Sequence, residues 1–383
     1  MKAREQKKLI NFINVIKEKS TFSIGYPFAR DFDYTELYDL FQYPIANVGD
    51  PFIESNYAVN SFEIEREVIQ FFAGLFRAPK DNYSGYVTSG GSEGNLYGLY
   101  IAREIYPEAI VYHSSEAHYS ITKNIRLLNL RSVEIQADSK GEMDYNALEQ
   151  SIEQHRHLPV IIIANIGTTM TEAKDDIPTI RQILKKCSIE SYYIHCDAAL
   201  SGAYLPLLED DPRFDFKNGI DSIACSGHKF IGSPVPCGIV IVKKNYKERL
   251  GQYISYIGSQ DTTIAGSRNG HSPVFLWYAV KKLGREGMLL RAQQSLSMAI
   301  YVQRRLEENN IFCFRNENAI TVVFSKPDDQ LCRKWQLATK NGYAHLICMP
   351  GISKNIIDDF FNDLLKTLPV SNKNLLENAC PLT

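Results

Sequence analysis

The sequence has no CxxC pair, no internal repeat, no low-complexity tract and no Pro/Ser-rich linker. Its eight cysteines, Cys187, Cys196, Cys225, Cys237, Cys313, Cys332, Cys348 and Cys380, sit mostly inside apolar runs. They read as reduced core thiols, which excludes a disulfide framework or a zinc ribbon. The longest apolar run, near "LPVIIIANI", falls far short of the ~20 residues a membrane helix needs. The N-terminal "MKAREQKKLINFINVIKEKS" interleaves charge with Leu9, Ile10, Ile13 and Ile16 at helical spacing. That is not the continuous apolar stretch of a signal peptide, and it sets the expectation of a cytoplasmic protein. Charge of one sign is lacking too. Forty-two Lys and Arg against 44 Asp and Glu leave a formal net charge of -2, which offers no footprint for nucleic acid or an anionic membrane.

What is present is a chain of 383 residues, 44% hydrophobic and 22% charged, long enough for about two domains. From about residue 85 to 245 short apolar runs alternate with helical segments. The strand candidates are "SGYVTS", "AIVYH", "RSVEIQ", "PVIIIAN", "SYYIHCD", "DSIAC" and "GIVIV". This alternation predicts an α/β fold with a mostly parallel sheet, whose ligands bind at the carboxyl ends of the strands. From about 281 the pattern changes to a long helix, then "NAITVVF", a helix, "YAHLICM" and a closing helix begun by Ser353. That last helix sets Ile356, Ile357, Phe360, Phe361, Leu364 and Leu365 on one face and stops at Pro369. The expected division is an N-terminal arm over 1–54, a large domain over 55–280 and a smaller α/β domain over 281–383. The arm's "GYPFARDFDYTELYDLFQYP" is too long and aromatic for a free linker, and it reads as wrapping a subunit interface.

Four stretches at strand ends carry chemistry. "TSGGSEGN" exposes backbone N–H groups at a strand-to-helix turn, so a phosphate could rest on Gly90, Gly91 and Ser92; the alternative is an ordinary capped turn. It is neither a Walker A loop nor a GxGxxG fingerprint. "YIHCDAAL" ends a strand with Asp197, which either forms a turn or keeps a ring nitrogen protonated. "SSEAHYS" carries His118, a structural histidine or a stacking one. In "NIGTTM", Thr168 and Thr169 could satisfy loop backbone. A fifth stretch, "SGHKF", puts Lys229 between two apolar runs. Desolvation there would lower its pKa and free the amine for a Schiff base; the alternative is a lysine snorkelling to the surface. Together a phosphate turn, a histidine, a strand-end aspartate and a lysine about thirty residues later are the parts needed to hold pyridoxal phosphate.

The ordered set "NVGDPFIESNYAVNSFE", "TSGGSEGNLYG", "IGTTMTEAKDD", "IHCDAAL", "SGHKFIGSPVPCGI" and "GSRNGHSPVFLW" resembles the group II pyridoxal-phosphate-dependent decarboxylases. Within them it is most similar to the short bacterial histidine decarboxylases, with plant serine decarboxylases as near relatives. The resemblance covers nearly the whole chain and implies the aspartate-aminotransferase-like fold (fold type I) in a homodimer with active sites at the interface. It implies that Lys229 is the Schiff-base lysine and that Asp197 bonds the pyridine nitrogen. His118 would stack on one ring face and Ala199 pack on the other. Gly91, Ser92, Ser226 and His228 would hold the phosphate, with Thr168 or Thr169 near the ring hydroxyl or the substrate carboxylate. The "SQDTTIAGSRNGH" loop, with Thr262 and Thr263, would reach the partner's cofactor, and Tyr26 would line the substrate pocket. Tyr256 is either the acid that protonates the substrate or an interfacial packing residue. Asp50 and Glu54 are further candidates for the substrate pocket.

The implied activity is conversion of L-histidine to histamine and carbon dioxide, with serine or another small amino acid as the alternative substrate. The chain departs from the family pattern at Ala319, where serine is common, at Gln260, where arginine is common, and at Ser92, where threonine is common. The loss at Ala319 weakens any expectation of a polar substrate contact there. Three other readings stand beside this one. A cysteine desulfurase needs a mobile nucleophilic cysteine, for which only Cys380 looks free. An aminotransferase needs a carboxylate clamp such as Arg315 or Arg333. A non-catalytic scaffold has no physical need to keep Lys229, Asp197 and His118 together.

Overall fold

The structure is a computed structural model and describes residues 1–367. The chain forms two compact units, one of Met1–Pro27 with the residues from Gln294 onward, the other of Phe28–Gln293. The latter is built on a seven-stranded sheet of β1 (Tyr83–Thr88), β2 (Ile110–Ser114), β3 (Arg131–Ile135), β4 (Val160–Asn165), β5 (Tyr192–Asp197), β6 (Ser222–Ser226) and β7 (Gly238–Lys243). Their spatial order is β1-β7-β6-β5-β4-β2-β3. Neighbours from β6 to β3 are parallel, while β7 runs antiparallel to both β6 and β1. Every position of β2, β4 and β6 is buried, as expected of strands covered on both faces. Each expected strand of this region is present within a residue or two.

This topology puts the carboxyl ends of β1, β2, β4, β5 and β6 along one edge of the sheet, where the loops bearing the candidate residues begin. Helix α1 (Ala3–Thr21) belongs to the other unit; α2 (Phe62–Leu75), α3 (Gly91–Ile105), α4 (Tyr119–Leu127), α5 (Tyr145–Gln154) and α6 (Ile177–Lys186) belong to this one. Aspartates set two of the starts. Asp144 accepts from the N–H groups of Asn146 and Ala147, and Asp176 from that of Thr179. Helix α3 lies close on the sheet through glycine: a Cβ on Gly94 would come 2.7 Å from the Ala224 Cβ, and one on Gly98 would strike the His195 ring at 2.2 Å. Tyr86, Tyr97, Ile101, Val111, Ile161 and Tyr193 are part of the core between that helix layer and the sheet.

Helix α7 (His271–Glu308) starts about ten residues before the expected position, because Pro273 falls in its first turn, where no amide donor is needed. It is broken at Gly284, whose φ of 61° only glycine adopts freely. The other unit contains an antiparallel sheet, β8 (Cys313–Phe314), β9 (Thr321–Ser325), β10 (Ala338–Lys340) and β11 (Tyr343–Ile347), in the order β8-β9-β11-β10. The expected runs supply β9 and β11; the two short outer strands were not legible. Helix α8 (Lys354–Thr367) buries Ile357, Phe360, Phe361 and Leu364, with Phe360 packed edge-on against Trp335 and Phe324. Pro369, expected to end it, lies outside the described residues, as does Cys380. Helix α1 buries no residue at all. No helix of the described residues is long and apolar enough to cross a membrane.

Candidate active site

Lys229 sits in a single wide helical turn, Gly227–Ile231, directly after β6. Phe230 and Ile231 beside it are buried, and its carbonyl accepts a hydrogen bond from Ala29 N–H at 3.3 Å. The side chain keeps some exposed surface but is densely surrounded by protein. Desolvation pushes the ammonium pKa down, while Asp197, Cys225 and Glu172 pull it up. The sequence reading asked for such a displacement, and the strand end supplies it.

Asp197 ends β5 with 6% of its surface exposed. Its Oδ2 accepts from Asn95 Nδ2 at 2.8 Å and its Oδ1 from the Ala199 N–H at 3.2 Å. His118 caps α4, with its Nδ1 2.7 Å from Ser120 Oγ. Burial lowers the His118 pKa most, Asp197 raises it, and Lys229 and Lys123 lower it further. Asp197 and Lys229 both act on His118, and Asp197 also acts on Lys229, which puts all three in one electrostatic environment although the first and last are 111 positions apart in the chain.

The turn before α3 meets Ser226 and Ala199. A Cβ on Gly91 would stand 2.8 Å from Ser226 Oγ and 3.5 Å from the Ala199 Cβ, so only glycine leaves this cradle open. Asn124 Nδ2 holds the turn by donating to the Ser92 carbonyl at 2.9 Å, and Ser92 itself is exposed. The first amides of α3 point out of the helix end and favour an anion. His228 anchors through Nδ1, 2.8 Å from the Cys237 carbonyl, and burial lowers its pKa. Amide donors, a buried serine hydroxyl and a desolvated lysine fit a phosphorylated aldehyde cofactor.

The remaining candidates lie otherwise. Thr168 is engaged inside its own loop, 2.8 Å from Thr171 Oγ1 and accepting the Ala173 N–H at 3.0 Å, while Thr169 is exposed. Thr262 donates to Asp50 Oδ2 at 2.6 Å, and Lys247 donates to the same oxygen. Thr263 bonds Asp261 and the Ala265 carbonyl. Tyr256, in a hairpin turn, is 79% exposed. Tyr26 belongs to the other compact unit and is 48% exposed. There too, Arg315 donates to the carbonyls of Ala319 and Asn316 and to Gln303, so its guanidinium already has partners.

Sequence reasoning missed two features. Glu172 is a buried carboxylate with φ of 56° that accepts from Ser201 Oγ at 2.8 Å and from the Tyr204 hydroxyl. Asn95, His195 and Ser222 stand behind Asp197. Strand periodicity could have found part of this, since His195 and Asp197 are two apart on one strand and share a face. The thiols give no sign of a nucleophile: burial pushes Cys225 and Cys237 up to about 12 and Cys313 up to about 11. All seven cysteines among the described residues are free, and no cluster among those residues could hold a metal ion.

The pyridoxal-dependent decarboxylase conserved domain matches residues 45–326. Histidine decarboxylase of Mesorhizobium japonicum is 45% identical over 374 residues, 98% of this chain and 100% of the relative. Histidine decarboxylase of Morganella morganii is 45% identical over 90% of this chain and 91% of its own. Serine decarboxylase 3 of Oryza sativa is 43% identical over 90% of this chain and 78% of its own. L-methionine decarboxylase of Streptomyces sp.590 shares the fold, with a TM-score of 0.90, 24% identity and 96% of each chain covered. With a lysine, an aspartate and a histidine brought into one environment at the strand ends of a fold shared with such enzymes, the chain belongs to the pyridoxal-dependent decarboxylase family and is a pyridoxal-phosphate-dependent amino acid decarboxylase.

Proposed function

We propose that the protein is an L-histidine decarboxylase, releasing histamine and carbon dioxide, and that it works as a cytoplasmic homodimer. The observation that carries the chemistry is the desolvated Lys229 in one electrostatic environment with Asp197 and His118. The choice of histidine is supported by relatives of that activity at 43–45% identity over nearly the whole chain. Serine is the second reading, favoured by the plant relative at 43% identity.

Lys229 Nζ would tether the cofactor, and a lowered pKa keeps more of that amine unprotonated at neutral pH. Gly91, Ser92, Ser226 and His228 would bind the phosphate, and His118 and Ala199 would confine the ring from its two faces. Asp197 would hold a proton at the ring nitrogen. Bound there, pyridoxal phosphate supplies a sink for the electron pair left at the substrate α carbon when the carboxylate departs. The protein's part is to keep that carboxylate in a dry setting, where losing its charge is favoured. Tyr256 would deliver the proton to the α carbon, and Thr169 would contact substrate. Since the Thr168 hydroxyl is engaged in its loop, Thr169 is the stronger candidate of the pair.

The test is product mass and carbon dioxide release from purified, cofactor-loaded protein given histidine, serine, aspartate or cysteine. Histamine with matching carbon dioxide is the expected result. Ethanolamine from serine alone would move the assignment to the second reading. Alanine and sulfide from cysteine, without carbon dioxide from any substrate, would overturn the proposal.

A further inference from the structure

Behind Asp197 runs a line of buried polar groups that the proposed chemistry does not use. Asn95 Nδ2 donates to Asp197 Oδ2 at 2.8 Å, His195 Nε2 lies 2.9 Å from Asn95 Oδ1, and His195 Nδ1 lies 2.7 Å from Ser222 Oγ. Asn95 is 1% exposed, and His195 and Ser222 are fully buried. The fold makes room for the ring, because only glycine at position 98 leaves space for it. Burial holds the imidazole down to about 3, so it is neutral and carries a single ring proton.

We propose that Ser222, His195 and Asn95 form a one-way chain of hydrogen-bond donors that fixes the orientation and the charge of Asp197, all three acting as positioning residues for the decarboxylation. This rests on the assignment of Asp197 to the cofactor's ring nitrogen. The direction follows from one condition. An ionised carboxylate only accepts, so Asn95 must turn its amide nitrogen toward Asp197, which leaves its oxygen facing His195. That oxygen only accepts, so the imidazole proton sits on Nε2, and Nδ1 accepts from the Ser222 hydroxyl. In a low-dielectric interior the aligned donors polarise one another toward the carboxylate. The Ala199 N–H at the other oxygen prevents rotation. A carboxylate free to turn or to take up a proton would lose its hold on the ring nitrogen.

Holoenzyme carrying cofactor labelled with 15N at the ring nitrogen tests this by NMR at neutral pH. Wild type should show a protonated nitrogen. Asn95→Ala and Ser222→Ala should move it toward the unprotonated shift and lower kcat by roughly tenfold for the former, and less for the latter, with a smaller change in KM. Ser222→Ala removes one hydroxyl and so serves if Asn95→Ala folds poorly. The same sample with labelled histidine reports the His195 tautomer: Nε2–H supports the chain, Nδ1–H overturns it. If Asp197→Ala leaves the ring nitrogen protonated, the assignment of Asp197 fails and this inference with it. If Asp197→Ala deprotonates the nitrogen while Asn95→Ala and Ser222→Ala do not shift it, the inference alone fails.

Discussion

The sheet region and the N-terminal segment treat apolar side chains in opposite ways. Along β2, β4, β5 and β6 nearly every residue is buried within the one chain. Along α1 and the arm that follows, Leu9, Ile10, Phe12, Ile13, Tyr38 and Phe41 are each 48–63% exposed. The first region is complete in itself and positions the polar groups of the site. The second leaves large apolar side chains exposed, which water does not favour. In the homodimer proposed above, a second copy of the chain is expected to cover that segment. The difference teaches that the site's scaffold buries its apolar side chains within its own unit, whereas α1 and the arm do not.

Lys229→Ala gives the largest effect. Decarboxylation should fall by roughly 10³-fold or more, while melting temperature and association state stay as they were. A variant that also dissociates or melts early would show that the sheet region is not self-contained. Next, Phe12→Asp combined with Ile13→Asp should weaken dimerisation by roughly a hundredfold, as two apolar side chains lose their burial. Sedimentation across a concentration series reads this directly, and an unchanged dimer would show that α1 lies outside the subunit interface.

Gly98→Ala should cost about 1–3 kcal/mol, because its Cβ meets the His195 ring at 2.2 Å and neither helix nor strand can give way cheaply. Thermal melts should show a drop of a few degrees with dimerisation intact. The smallest net effect concerns acid, because between about pH 4 and 6 two buried groups oppose one another. His195 titrates at about 3 in the folded chain and near 6.5 when unfolded, so between those values only the unfolded chain takes the proton. Its contribution to stability is therefore lost as pH falls through that window, by about 1.4 kcal/mol per unit. Asp175, raised to about 6 by burial, works in reverse: between 3.8 and about 6 the folded carboxyl binds the proton, so its contribution is lost as pH rises. His195→Gln should leave only the second slope, and urea melts from pH 6 to 4 that match wild type would contradict this.

Much of the scaffold was legible because a strand buried on both faces must be an apolar run, as in "VIIIAN" and "SIACS". Lys229 was legible for the converse reason, a charge set where its neighbours avoid water. Glu172 was not: a glutamate in a Thr- and Lys-containing loop reads as solvated, and only the fold turns it inward onto Ser201 and Tyr204. Thr168 and Thr262 carry the hydroxyls expected of binding residues, yet one bonds its own loop and the other Asp50. Composition cannot tell these uses apart, since both satisfy the same donor.

The sequence by itself determined the strands, the run of turns at their carboxyl ends and the residue types that suit pyridoxal phosphate, because each follows from local pattern and side-chain chemistry. Only the tertiary structure decided that β7 runs antiparallel between β1 and β6, and that His195 reaches Asn95 across 100 positions of chain. Hydrogen bonds between distant residues depend on which elements become neighbours. That choice is made by the packing of whole faces, which no short stretch of sequence contains.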